Sequence, residues 1–225
     1  MKVGNDHKYW TGGVMYHVVL AVLLLLMLLQ PLADVKAGLL VRLTFAALLV
    51  ASIATVAARR GLLVIGLILG IPALALLFVP GRAPTAASGV LSIATLVFIC
   101  VVILSRIFSH PVVTSATVSA ALVVYVTLGV VWAQVYRLLE YFHPGSFKGI
   151  AEAGLADVQR DLFYYSFVTL TTLGYGDMSP VSASARSLAI TEAIVGQLYL
   201  VVLVAGLVGM RLSNRQGRTG GSGSP

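Results

Sequence analysis

The sequence predicts an all-α membrane protein of about six transmembrane helices, with a short re-entrant segment between the last two. Three observations carry that prediction. Hydrophobic residues make up 59% of the 225 and charged residues only 10%, too little charge to cover a surface facing water. Apolar runs close to the roughly 20 residues that a helix needs to cross a bilayer core recur along the chain. One amphipathic stretch near residue 165 is too short to cross, yet it lies between two runs that can. The formal net charge of +7 does not point to nucleic acid, because the basic residues stand singly between apolar runs and form no stripe. Cys100 is the only cysteine, which excludes a disulfide within the chain and a thiolate metal site. Its apolar surroundings predict a small buried residue.

The first run, Val14 to Leu29, ends at Gln30-Pro31. No small-residue cleavage site follows it, so it reads as a span and not as a removed signal. A second run covers Leu39 to Ala58 and closes at Arg59-Arg60. A third covers Leu62 to Val79 and stops at Pro80-Gly81-Arg82-Ala83-Pro84, a turn signal. The fourth, Ser88 to Leu104, ends in Arg106 and His110-Pro111. The fifth, Val112 to Leu139, is long enough to cross with tilt. Trp132, Tyr136, Tyr141 and Phe142 at its far end read as an interfacial aromatic belt. From Glu140 to Arg160 the chain is polar, with a break at His143-Pro144-Gly145. A half-length helix over Asp161 to Thr171 comes next. The last run, Leu188 to Met210, spans again and finishes in Arg211, Arg215 and Arg218.

These runs divide the chain into an N-terminal segment 1–13, a four-helix unit 14–110, a second unit 111–212 and a flexible tail 213–225. With the N-terminus cytoplasmic, Lys2, Lys8, Arg59, Arg60, Arg106, Arg211, Arg215 and Arg218 fall inside. Lys36, Arg82 and the 140–186 region then fall outside. That bias predicts a multi-pass protein of the cell membrane with both termini cytoplasmic. No fixed-period repeat is present.

Between the last two spans lies Thr172-Leu173-Gly174-Tyr175-Gly176-Asp177, followed by Met178-Ser179-Pro180. Irregular backbone at membrane depth survives only where protein buries it or where it lines a watery path. Two glycines alternating with larger residues let successive carbonyls aim the same way. Rings of carbonyls can replace the hydration shell of a cation. One chain supplies one wall, so a ring demands cyclic assembly of several copies. A surface turn is the simpler reading of Gly-Tyr-Gly-Asp, but the half-helix before it and the full span after it argue against that.

Residues 163–177 resemble the pore helix and selectivity filter of tetrameric potassium channels, whose signature is Thr-Val-Gly-Tyr-Gly-Asp; the likeness extends from Phe163 to Met210. Leu173 stands where the family more often has valine, which affects packing behind the filter and leaves the carbonyl in place. The resemblance implies a homotetramer of bacterial type in membrane lipid, passing K+ without a cofactor and without enzymatic chemistry. It implies that the carbonyls of Thr172, Leu173, Gly174 and Tyr175, with the Thr172 hydroxyl, coordinate K+. Gly176 completes the filter, and Asp177 adds negative charge at the outer mouth. Tyr164 and Tyr165 occupy the positions of an aromatic cuff around the filter, with interfacial anchoring as the alternative. Val168 sits where some relatives carry a glutamate partnered to the filter aspartate, so slow inactivation that depends on such a pair is expected to be weak or differently controlled.

In the last helix Gly196 lies at the family's gating-hinge position. A glycine there permits bending, or else close helix packing. Counting helical turns, Ile194, Gln197, Leu200 and Val204 line the inner cavity. Glu192 is an ionisable group inside a span, which is costly and marks function. Its helical phase predicts a protonated or hydrogen-bonded strut to pore-helix hydroxyls such as Thr169 or Thr171; the rival is a cavity carboxylate that concentrates cations. Arg186 is expected at lipid headgroups.

The six-span layout resembles that of voltage-gated channels. The fourth run, Ser88 to Cys100, lacks arginines at three-residue spacing, which predicts conduction without steep voltage dependence. Arg106 reads as an inside anchor. Rival functions are a poorly selective cation channel, or a transporter or non-conducting scaffold. Transporters pair broken helices in two related halves, and only one re-entrant element is found. His7, His17, His110 and His143 are dispersed and suggest no nucleophile–base pair.

Overall fold

The computed structural model describes residues 16–25, 27, 43, 46–47, 49–50, 53, 60–79, 81–109, 114–150 and 155–219. Its elements are α1 (Tyr16–Leu25), α2 (Arg60–Leu77), α3 (Arg82–Ser109), α4 (Ser115–Phe142), β1 (Phe147–Lys148), α5 (Leu155–Leu170), β2 (Ser179–Pro180) and α6 (Ala183–Thr219). Among the described residues four helical stretches are long and apolar enough to cross a membrane: Arg60–Leu77, Ala83–Ser109, Ser115–Phe142 and Ala183–Gly206. The segment 1–13, Lys36, most of the second apolar run, Arg59, His110-Pro111 and residues 220–225 lie outside the described residues. Leu49 and Ile53, described positions of that second run, belong to the buried core.

Each helix has a local cause. The expected turn at residues 80–84 is shorter than the sequence suggests, because α3 already starts at Arg82. Pro84 falls in its first turn, where a missing N–H has no partner to lose. α4 opens on a reciprocal cap: Thr114 accepts from the Thr117 amide, and the Thr117 hydroxyl accepts from the Thr114 amide. It ends where Pro144 and Gly145, at φ 84°, turn the chain. The Gly145 and Ser146 amides freed by that turn donate to the Glu140 carboxylate at 2.6 and 3.0 Å.

The half-helix α5 begins at Leu155, upstream of the expected Asp161, with Asp157 in its first turn. An acidic residue is favourable there, and Asp157 pairs with Arg160 at 3.3 Å. α6 runs unbroken through Gly196 and continues as helix to Thr219, past the expected tail boundary at 213. β1 and β2 pair antiparallel, Phe147 opposite Pro180 and Lys148 opposite Ser179, which ties the chain before α5 to the chain after the filter-like loop.

The core has two parts. The larger unites α1, α3 and α4 through residues such as Leu23, Leu96, Ile103 and Val124, with Cys100 buried among them. The smaller comprises Tyr136, Phe147, Leu162, Tyr165, Met178, Ala185 and Ala189, and it is the bed on which α5 and the following loop rest.

Candidate functional site

α5 ends at Leu170, and the chain then turns back. Thr172, Gly174 and Gly176 have φ of 58°, 56° and 81°, so every second residue is left-handed. Thr172 is the only non-glycine with positive φ among the described residues, a conformation costing about 1–2 kcal/mol for a residue with a Cβ. The backbone amides of this turn point back at α5. Thr172 N donates to Thr169 O at 2.9 Å, and Leu173 and Gly174 N donate to Val168 O at 2.9 and 3.3 Å. A trans peptide is planar, so its carbonyl points opposite to its N–H. The carbonyls of Thr171, Thr172 and Leu173 therefore face away from α5, on one side of the strand.

That side is open. Residues 171–177 are all exposed in the single chain, with Leu173 at 54% and Tyr175 at 68%. Both ends of the strand are held. At the far end the Tyr164 hydroxyl donates to Asp177 Oδ2 at 2.8 Å, and Asp177 Oδ1 accepts from the Met178 amide at 3.0 Å. The hydrogen bond to Asp177 pushes the Tyr164 phenol above its ordinary range. Gly149, at φ 88°, packs against the Asp177 carbonyl, 2.4 Å from where a Cβ would sit. At the near end Gln197 Nε2 reaches Thr172 Oγ1 at 3.4 Å. Behind Leu173 lies a cavity of about 520 Å³, lined by Phe163, Tyr164, Phe167, Val168 and Thr171 among others.

The remaining expected residues are placed as follows. Tyr165 lies in an aromatic cluster, its ring centroid 5.3 Å from those of both Tyr136 and Phe147. It belongs to the buried cluster that also holds Met178, directly after the strand. Thr169 contributes a carbonyl to Thr172, and the Thr171 hydroxyl is turned onto its own helix at Phe167 O, 2.7 Å away. Neither hydroxyl meets Glu192, so the two named partners are corrected, while a different hydroxyl of α5, Ser166, makes the contact. Glu192 is fully buried, and its carboxyl meets Ser166 Oγ at 2.5 Å and Tyr136 Oη at 2.5 Å. The reason is helical phase: Ser166 lies on the face of α5 turned to α4 and α6, where its hydroxyl also reaches Gly129 O at 2.7 Å.

Tyr136 consequently does not sit in an interfacial belt. It is completely buried, and only its position near the end of a long apolar run suggested the lipid interface. Gly196 is a point of close approach, since a Cβ there would lie 2.6 Å from Leu170 O. Leu170 O also accepts from Tyr125 Oη at 3.3 Å, and Tyr199 Oη donates to Ala121 O at 2.6 Å. Ile194, Gln197 and Val204 are exposed in the single chain, and Leu200 is half-buried. Sequence reasoning passed over Ser166, Gly129, Tyr125 and Tyr199. Ser166, a hydroxyl inside an apolar half-helix, was the available signal. Among the described residues no His, Cys, Asp or Glu cluster could hold a metal ion.

Residues 152–212 match a family model described as "Ion channel". Over 87 residues, 39% of this chain, the sequence is 32% identical to Two pore potassium channel c of Oryza sativa subsp. japonica and covers 17% of that protein. It is 31% identical over 87 residues to Two-pore potassium channel 5 of Arabidopsis thaliana, covering 19% of it. It is also 31% identical over 83 residues to Protein LctB of Bacillus caldotenax, covering 61% of it. The matched stretch is thus less than a fifth of the length of the plant relatives. No solved structure matches the chain. The family match falls on α5, the left-handed strand and α6, and with these relatives it supports a potassium-channel family for this part of the chain.

Proposed function

We propose that the chain is one subunit of a potassium-selective channel, assembled as a homotetramer in the cell membrane with both termini cytoplasmic. Thr172 to Gly176 form one wall of a carbonyl filter, and K+ passes through it without a cofactor. The observation that carries this reading is the strand itself. The amides of Thr172, Leu173 and Gly174 are consumed by α5, the carbonyls of Thr171, Thr172 and Leu173 face the other way, and residues 171–177 are exposed in one chain. A strained strand at membrane depth needs such an environment to persist: neighbouring copies on its flanks, and ions in place of water on its carbonyl face. The potassium channels named among the relatives support the choice of ion.

In this reading Asp177, held by Tyr164, adds negative charge at the outer mouth. Ile194, Gln197, Leu200 and Val204 line the vestibule below the filter, and Gly196 serves as hinge as well as packing contact. Purified protein in a planar bilayer between asymmetric potassium and sodium solutions tests the reading. A reversal potential near that of potassium is expected. Silence with an intact filter, a monomer in the membrane, or reversal at zero in that gradient would overturn it.

A further inference from the structure

Glu192, Ser166, Tyr136 and the Gly129 carbonyl form a closed hydrogen-bonded group where α4, α5 and α6 meet. Three oxygen–oxygen contacts hold it: Tyr136 Oη to Glu192 Oε2 at 2.5 Å, Ser166 Oγ to Glu192 Oε1 at 2.5 Å, and Ser166 Oγ to Gly129 O at 2.7 Å. Two oxygens at such distances need a proton between them, so three contacts need three protons. The Tyr136 and Ser166 hydroxyls bring one each, and a backbone carbonyl brings none. The third belongs to the carboxyl group of Glu192.

We infer that Glu192 is a neutral carboxylic acid whose proton completes a relay from α6 through Ser166 of α5 to Gly129 of α4, positioning the pore helix that carries the filter. In this arrangement the acid donates to Ser166 Oγ, Ser166 donates to Gly129 O, and Tyr136 donates to Oε2. An ionised carboxylate would take the Ser166 proton and leave two bare oxygens facing each other at Gly129. The other titratable side chains near enough to feel a charge on Glu192 are Tyr125 of α4 and Tyr165 of α5, both phenols. Among the described residues no Lys, Arg or His pairs with its carboxyl group. A lone charge in that setting is costly and a neutral acid is not. Gly129 makes the relay geometrically possible, because a Cβ there would lie 2.6 Å from Phe167 Cζ and hold α5 away.

The proton assignment stands on these contacts alone, whereas its consequence for selectivity rests on the channel reading. Infrared difference spectra of the protein in liposomes at neutral pH, wild type minus Glu192→Gln, should show the carbonyl stretch of a protonated carboxylic acid, shifted in D2O. Ser166→Ala should keep that band and move it toward the position of a free acid. In bilayers Glu192→Leu should lower the potassium-to-sodium permeability ratio about tenfold, and Glu192→Gln, which can donate to Ser166 and accept from Tyr136, should restore it to within about twofold. An absent acid band overturns the inference, as does a Glu192→Gln channel no more selective than Glu192→Leu. Wild-type protein that shows the band and carries no potassium current would overturn the channel reading and leave the proton assignment standing.

Discussion

Thr172 holds a left-handed backbone that glycine would adopt at little steric cost, and its side chain is the reason a threonine is there. The Oγ1 atom lies 2.7 Å from Thr171 O and 3.4 Å from Gln197 Nε2, linking the base of the strand to α6. Tyr164 performs the corresponding task at the outer end. Its hydroxyl is exposed to water yet fixed on Asp177. We predict that Tyr164→Phe speeds the decay of current during sustained opening; identical decay in macroscopic recordings would refute that role. The phenol's raised pKa gives this contact a direction in pH. A proton held more tightly in the folded state stabilises the fold below the unfolded value, about 10 for tyrosine, and that contribution is lost as pH rises through the higher folded value. Filter stability should therefore survive mild alkali in wild type, and the step of current loss at still higher pH should be missing from Tyr164→Phe.

Gly196 is the other residue whose role the geometry sharpens. A methyl group there would sit 2.6 Å from Leu170 O, a backbone atom that cannot rotate aside. Gly196→Ala is expected to push the end of α5 away from α6 and to destabilise the protein by about 1–3 kcal/mol, with lowered potassium selectivity. Thermal unfolding in detergent and a reversal potential measure the two effects. A purely hinge-like glycine predicts altered open probability with unchanged stability and selectivity.

Among the elements, α5 is the one whose placement matters most, and it is held at several heights. Ser166 engages α4 and α6 together, Leu170 O is touched by Tyr125 of α4 and covered by Gly196 of α6, and Tyr199 of α6 bonds to Ala121 of α4. On α6 the residues concerned, Glu192, Gly196 and Tyr199, follow the spacing that keeps them on one face. Their alignment makes α6 a rail along which α5 is docked. Gly129→Ala tests the docking from the opposite side. The added methyl would meet the Phe167 ring at 2.6 Å, so a loss of about 1–3 kcal/mol is expected in thermal unfolding, together with weaker assembly on native gels. An unchanged melting temperature would show that α4 and α5 can separate without cost. Val168 marks a different freedom. It has an apolar side chain beside the cavity behind Leu173, and Val168→Glu would bring a carboxyl group toward Asp177. Faster current decay is the expected result, and an unaltered time course would show that the two groups do not communicate.

For the whole molecule, the apolar runs from Leu62 onward translate into described helices with little revision, because a helix satisfies its own backbone in lipid whatever its neighbours do. The lack of regularly spaced arginines along α3 leads to one further expectation. Activation should carry much less charge than a voltage sensor moves, and a conductance–voltage curve equivalent to several gating charges would contradict it. The filter-like hexapeptide was legible for a similar reason: positive φ at Gly174 and Gly176 is a property of glycine that the sequence states directly. Other features were not legible. The early start of α5, the pairing of β1 with β2, and the burial of Tyr136 all depend on contacts between segments distant along the chain.

Sequence alone therefore determined the composition suited to lipid, the placing of the apolar helices from residue 60 onward, and a short glycine-bearing strand with left-handed backbone at Gly174 and Gly176. Each of these follows from residue type and short-range periodicity. Which hydroxyls receive Glu192, where Gly196 meets a carbonyl, and how α4, α5 and α6 lock together were decided only in three dimensions. Those contacts depend on the relative rotation and height of three helices, and a difference of one turn exchanges Ser166 for Thr169 with no change in the hydrophobic pattern that the sequence displays.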